Sequence, residues 1–298
     1  MSDDQPGWCT SRTNDGPPGE DLQNPLVRHF RVKRIHNLQS EHITDAVAAE
    51  EPLEIRIRYW FKETQIAEAF AVTMRTPGHD RELAAGLLFS EGILHNREEL
   101  TDLRALGAKP SNEILAELSN DVDFEGWRVT RNGIMSSSCG VCGKRSREAL
   151  SQQIPALPQD EFMISRKLIE DLPALLRSKQ AGFSETGGLH AAVLVDQHGN
   201  VSAAFEDIGR HNALDKLIGF CVLNGRTPLS SHVIFMSSRS SFELIQKAAT
   251  AGAPVLATVG GPSSLAIETA REHGITLIGF VRQGRFNIYS GERRIHSK

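Results

Sequence analysis

Residues 232–281 read HVIFMSSRSSFELIQKAATAGAPVLATVGGPSSLAIETAREHGITLIGFV, and this run decides the fold. Three short apolar runs, 232–236, 254–259 and 275–281, alternate with two segments of helical pattern, 240–251 and 263–273. Short runs that are apolar at nearly every position belong to strands buried on both faces. Strands alternating with helices imply crossover connections. The pattern therefore predicts an α/β domain with a largely parallel sheet covered by helices. Working outward, 190–195 and 201–205 flank Asp196-Gln197-His198-Gly199-Asn200 and read as a β-hairpin. Residues 210–223 read as a helix, and 286–289 follow the last buried strand.

The ends of the three strands repeat one chemistry. The first runs into Ser237-Ser238-Arg239-Ser240-Ser241, the second into Gly260-Gly261-Pro262-Ser263-Ser264, and the third, through Phe280 and Val281, into Arg282-Gln283-Gly284-Arg285. Small residues leave backbone N–H groups free, and a helix N-terminus favours an anion. Ligands of open α/β sheets sit at the carboxyl ends of the strands, where Arg239, Arg282 and Arg285 would grip phosphate through forked donors. Serine caps and glycine turns explain much of any one loop; three in series favour a site for a phosphorylated, nucleotide-bearing ligand. Between the hairpin and the next helix lies the densest polar run, Glu206-Asp207-Ile208-Gly209-Arg210-His211-Asn212 to Asp215-Lys216. His211 is its candidate for ligand contact. The competing bland reading makes Asp207 a helix cap and Asp215 and Lys216 solvated helix charges. His190, after the Gly187-Gly188-Leu189 turn, reads as a structural histidine at a strand start.

Sulfur chemistry is concentrated elsewhere. Ser136-Ser137-Ser138-Cys139-Gly140-Val141-Cys142-Gly143-Lys144-Arg145 holds two of the four cysteines in one Cys-x-x-Cys. Small neighbours permit close approach to sulfur, and nearby cations favour the reactive thiolate. The segment reads as a mobile, exposed loop suited to redox exchange, metal ligation or carriage of a persulfide. A zinc site needs about four ligands and only one pair is present. A thioredoxin-like pair would open a helix after a buried strand, which this one does not. A zinc deaminase joins His-x-Glu to Pro-Cys-x-x-Cys. Here His190-Ala191-Ala192 lacks the glutamate, Ser138 replaces the proline, and the segments come in the wrong order.

Composition bounds the rest. The chain has 298 residues, 40% of them hydrophobic, enough for one large domain or two small ones. Its formal net charge of −4 disfavours a general nucleic-acid binder, which needs a basic face. No apolar run approaches a membrane span or a signal peptide, and sparse cysteine points to a reducing, cytoplasmic setting. Residues 1–25, rich in Asp, Gly, Pro and Ser, read as a disordered tail. Residues 26–135 read as a smaller α+β region: order begins near 31–35, strands lie at 53–59 and 66–74, a helix at 81–90 and a further strand at 127–135. The loop spans 136–147, and 148–298 form the α/β domain, opening with helices at 144–152 and 165–178.

Taken together, the motifs resemble the FdhD family, sulfurtransferase accessory proteins of formate dehydrogenase. The likeness rests on the cysteine loop and on four further segments in family order: Met74-Arg75-Thr76-Pro77-Gly78 with Ser90-Glu91-Gly92; Thr186-Gly187-Gly188-Leu189-His190; the run from Glu206 to Ala213; and Ser237-Ser238-Arg239 through Phe280 to Arg285. They span roughly 51–295. The resemblance implies a cytidine-deaminase-like three-layer α/β/α core, a homodimer, and a relay of persulfide sulfur from a cysteine desulfurase to the molybdenum cofactor in its bis-guanine-dinucleotide form, required by formate dehydrogenase. By position, Cys139 would carry the persulfide with Cys142 as partner, and Phe280, Val281, Arg282, Gln283, Gly284 and Arg285 would bind the cofactor, joined by the Arg239 and His211 candidates. A non-catalytic, cofactor-binding chaperone is the alternative.

Overall fold

The computed structural model describes residues 24–107, 111–124 and 162–296. The first elements among the described residues are a regular antiparallel ribbon, β1 (Val27–His36) and β2 (Gln39–Ala48). β3 (Glu51–Phe61) and β4 (Thr64–Arg75) follow. On β3 the alternation is realised: Leu53, Ile55, Ile57 and Tyr59 are buried and the residues between them are not. After α1 (Asp80–Ser90) come β5 (Leu100–Ala105) and β6 (Glu113–Leu118), which complete a four-stranded sheet of order β4-β3-β6-β5.

The second half begins at β7 (Ile164–Ser165) and α2 (Arg166–Arg177), where the Ser165 hydroxyl accepts from the Leu168 N–H at 3.0 Å and caps the helix. The short α3 (Ala181–Thr186) leads to the hairpin β8 (His190–Asp196) and β9 (Val201–Asp207), then α4 (Arg210–Leu223). The alternating part is β10 (His232–Met236), α5 (Phe242–Thr250), β11 (Val255–Thr258), α6 (Ser264–Glu272) and β12 (Thr276–Arg282). β13 (Arg285–Ser290) and β14 (Ile295–His296) finish the chain.

The main sheet has the order β13-β12-β11-β10-β8-β9. It corrects the expectation of a largely parallel sheet: only β10, β11 and β12 run parallel, and β8, β9 and β13 are antiparallel to their neighbours. Hairpins, unlike crossovers, connect antiparallel strands, and both flanks of this sheet are hairpins.

Both faces are covered. Leu194, Ile234, Met236, Leu256 and Leu277 belong to a core shared with α1, α4, α5 and α6. Val193, Phe235, Ala257 and Ile278, alternating with them, pack with Leu168, Ile169, Leu172 and Leu176 of α2. Helices thus lie on both sides of a mixed sheet. The first core also takes in Leu53, Ile55 and Ile57, so the four-stranded sheet and the α/β half share one interior. Their joint is the crossing of α1 and α4, made at two glycines. A Cβ on Gly86 would lie 1.8 Å from the Asp215 carbonyl oxygen, and one on Gly219 1.8 Å from that of Glu82. No helix among the described residues is long and apolar enough to cross a membrane.

Candidate functional site at the strand ends

Register brings the sequence motifs to one edge of the main sheet. Met236 at the end of β10 is level with Thr258 of β11 and with Ala192 of β8, and Ala257 is level with Ile278 of β12. His190 at the start of β8 faces Asp207 at the end of β9. The carboxyl ends of β9, β10, β11 and β12 therefore share an edge with the beginning of β8. The loop after β10 and the loop after β11 run side by side, with Ser240 bridged to Pro262, Val259 N donating to Met236 O at 3.0 Å and Gly260 N to Ser238 O at 3.0 Å.

Glycine at two places lets side chains lie on this backbone. A Cβ at Gly260 would fall 2.8 Å from Arg239 Cγ, and one at Gly261 would fall 2.6 Å from Phe280 Cζ. Phe280 itself has φ 52°, a left-handed conformation that a bulky residue rarely adopts, and is 44% exposed. A ring held in this way presents an exposed aromatic platform at the strand-end edge. Phe280 N donates to Gly260 O at 3.0 Å and ties the platform to the neighbouring loop.

The expected site residues divide into three groups. Arg239, Phe280, Gln283, Gly284 and Arg285 form an exposed rim, with Gly284 at φ 73° in the turn between β12 and β13. Arg282 is exposed too, but its Nη1 donates to the carbonyls of Val259 at 2.7 Å and Val281 at 2.8 Å, which fixes the guanidinium. Val281 is fully buried, and its side chain serves the α2-side core. His211 stands in the first turn of α4, with Nε2 2.8 Å from Glu243 Oε2 at the start of α5. Cys139 and Cys142 lie outside the described residues, as do the expected strand at 127–135 and helix at 144–152. Cys221, in α4, is buried, and burial pushes its thiol up to about 11. It is thus a packing residue rather than a reactive thiol.

The polar run at the end of β9 and the start of α4 buries its charges at Asp207, Asp215 and Lys216. Lys216 and Asp207 are both fully buried and pair at 2.7 Å. The Asp207 carboxylate also accepts from the Thr76, Gly209 and Asn212 donors at 3.2, 2.8 and 3.1 Å. Lys216 donates to Thr76 O at 2.9 Å. Asp215, at 2% exposure, binds Lys247 at 2.7 Å and Ser90 at 2.9 Å. The reading of Asp215 and Lys216 as solvated charges is overturned. Thr76 and Ser90 come from the two N-terminal motif segments, so these charges fasten that half of the chain to the floor of the site.

Under the rim, between the sheet and α2, is a cavity of about 500 Å³. His190, Ser237, Val259 and Arg282 line it from the strand ends; Arg177, Gln180 and Phe183 line it from α2 and α3. His190 Nδ1 is 3.4 Å from Ser237 Oγ, which accepts from Ala191 N at 2.9 Å. Burial, then the nearby Arg210, holds the imidazole below its ordinary range, so it is neutral at pH 7. The structural reading of His190 is thus incomplete: it borders the cavity. Arg177, Gln180 and Phe183 had no signal in the sequence beyond their helical pattern.

The FdhD/NarQ family model matches residues 48–296. The chain belongs to the FdhD/NarQ family. Within it, the sulfur carrier protein FdhD of Streptomyces coelicolor is 42% identical over 91% of this chain and 96% of its own length. That of Saccharolobus solfataricus is 37% identical over 91% and 98%. A crystal structure of a putative formate dehydrogenase accessory protein from Desulfotalea psychrophila superposes with a TM-score of 0.71 at 21% identity, covering 91% of this chain and all of that one. The two chains therefore share the fold over most of their length.

Proposed function

We propose that this FdhD-family chain is a sulfur carrier acting as a sulfurtransferase. It takes persulfide sulfur from a cysteine desulfurase and delivers it to the bis-guanine-dinucleotide form of the molybdenum cofactor for formate dehydrogenase. The observation that carries the reading is the full-length likeness to proteins named sulfur carrier protein FdhD, 42% identical across 96% of the relative. The strand-end edge supports it, because it presents an arginine rim and an aromatic platform suited to a nucleotide-bearing substrate.

In the first step the Cys139 thiolate attacks the outer sulfur of the desulfurase persulfide. The S–S bond breaks, the desulfurase thiolate leaves, and Cys139 holds the terminal sulfur. Cys142 then attacks the Cys139 sulfur and expels the outer sulfur as hydrosulfide to the bound cofactor. The Cys139–Cys142 disulfide left behind is reduced by a cellular dithiol. The rim of Arg239, Arg282 and Arg285, the Phe280 ring and His211 hold the substrate meanwhile. We further propose that the core is of cytidine-deaminase-like type and that the carrier works as a cytoplasmic homodimer. The test is formate dehydrogenase activity in cells lacking their own carrier. Wild type restores it and Cys139→Ala does not. Full restoration by Cys139→Ala and by Cys142→Ala would favour a cofactor-binding chaperone instead.

A further inference from the structure

No residue of the β1–β2 ribbon belongs to either hydrophobic core. Its strands have ten residues each and pair from end to end without a bulge, so the ribbon is about 30 Å long. Its ties are at the base. Ala49 N donates to Leu26 O at 2.8 Å, Arg28 pairs with Glu51 at 3.1 Å, and Asn24 Nδ2 donates to Glu185 Oε2 of α3 at 3.3 Å. From Phe30 to Asp45 no side chain makes a hydrogen bond or ion pair among the described residues. Successive strand residues alternate between faces. One face takes His29, Arg31 and Lys33 from β1, and the register sets Ala46, Thr44 and His42 opposite them. This face has cations and no carboxylate. Glu41 and Asp45, the two carboxylates of the ribbon, oppose Arg34 and Phe30 on the other face. Ile35, next along the cationic face, and Leu38 at the tip are exposed. Charge on an exposed ribbon discourages edge-to-edge pairing, but mixed signs on both faces would serve that end. Like charges side by side repel. A face of one sign with an apolar tip, on a chain of net charge −4, is instead the complement of an acidic protein surface.

We propose that this ribbon face docks an acidic patch on the protein that donates sulfur. This rests on the reading of the chain as a carrier loaded by a cysteine desulfurase. Exposed charges raise the rate of encounter more than they tighten a complex. Loading is a brief encounter repeated in every cycle, so it is the step that gains from such a surface. The face offers roughly 300 Å², well under the ~800 Å² per partner of a stable interface, which suits a transient contact. Exposed Ile35 and Leu38 fit a protein; a nucleic acid needs a longer basic track.

The test is the rate of persulfide loading of the full chain, followed by intact mass at low and high salt. One donor is a cysteine desulfurase with cysteine, the other is cysteine persulfide, a small molecule that needs no docking. Arg31→Glu with Lys33→Glu should slow loading by the desulfurase roughly tenfold at low salt and flatten its salt dependence. Arg34→Glu, on the opposite face, should change it far less, and cysteine persulfide should load all three proteins equally. Desulfurase loading unchanged in the double variant would overturn the proposal. So would an equal loss in Arg34→Glu, which would make net charge the cause, or an equal loss with cysteine persulfide, which would place the defect in the carrier itself. Wild-type binding to a single-stranded RNA, lost in the double variant while loading is unchanged, would reassign the ribbon to nucleic acid. Wild type that loads from neither donor would reject the carrier reading, and the docking role with it.

Discussion

Lys216 is a cation with no exposed surface, and Asp207 opposite it is equally buried. Such a pair is costly to break, because the survivor keeps its charge without a counter-ion. Asp207→Asn should lower stability by about 3–5 kcal/mol, read as a fall in the thermal midpoint. The double change Asp207→Leu with Lys216→Met should cost much less than the single changes added together; full additivity would refute coupling of the two. His190 gives a prediction in pH. Burial lowers its pKa in the fold, so the neutral form is favoured there. Its contribution is fully present above the unfolded value of about 6.5 and is lost as pH falls through the folded value. Unfolding free energy measured from pH 8 to pH 5 should therefore fall more steeply below pH ~6.5 in wild type than in His190→Gln; parallel curves would contradict this assignment. Neither residue was legible from sequence. A lysine in a helical segment looks solvated, and only the fold carries Asp207, the last residue of β9, beside Thr76 ahead of α1.

Among the elements, the helices and alternating strands were the legible part. The 210–223 helix matches α4, the Ser165 cap is realised, and the 190–205 hairpin is present. What escaped did so for physical reasons. β5 reads LTDLRA, with its two buried leucines three apart, a helical spacing in a strand. The β1–β2 ribbon turns at Asn37-Leu38, with φ of 48° and 69°, where a glycine would have signalled the turn. Regular structure among the described residues accordingly begins before residues 31–35, with β1. The α1–α4 crossing is the most sensitive element contact. A methyl on Gly86 meets the Asp215 carbonyl at 1.8 Å, and a helix backbone cannot move aside locally. Gly86→Ala should cost about 3 kcal/mol, seen as a lower urea midpoint at unchanged slope. An unaltered midpoint would mean the helices separate freely.

At the scale of the whole molecule, the motifs distant in sequence serve two purposes. One set, from Met74 to Gly78, Ser90, and Asp207 to Lys216, clamps the two halves together. The other, at the ends of β10, β11 and β12, presents the rim. Sequence alone placed the rim residues at the ends of strands but could not separate them from the clamp, because both are dense in charge and glycine. The cavity was invisible for a different reason: Arg177 and Gln180 meet His190 and Ser237 only once α2 lies across the sheet.

The central claim is that sulfur travels on Cys139. It is tested most directly by intact-protein mass spectrometry after incubation with a cysteine desulfurase and cysteine, followed by peptide mapping. The account predicts one added sulfur on wild type, located on Cys139, absent from Cys139→Ala, and never on Cys221, whose thiol burial holds at about 11. A sulfur adduct of equal yield on Cys139→Ala, or none on wild type beside an active desulfurase, would contradict it.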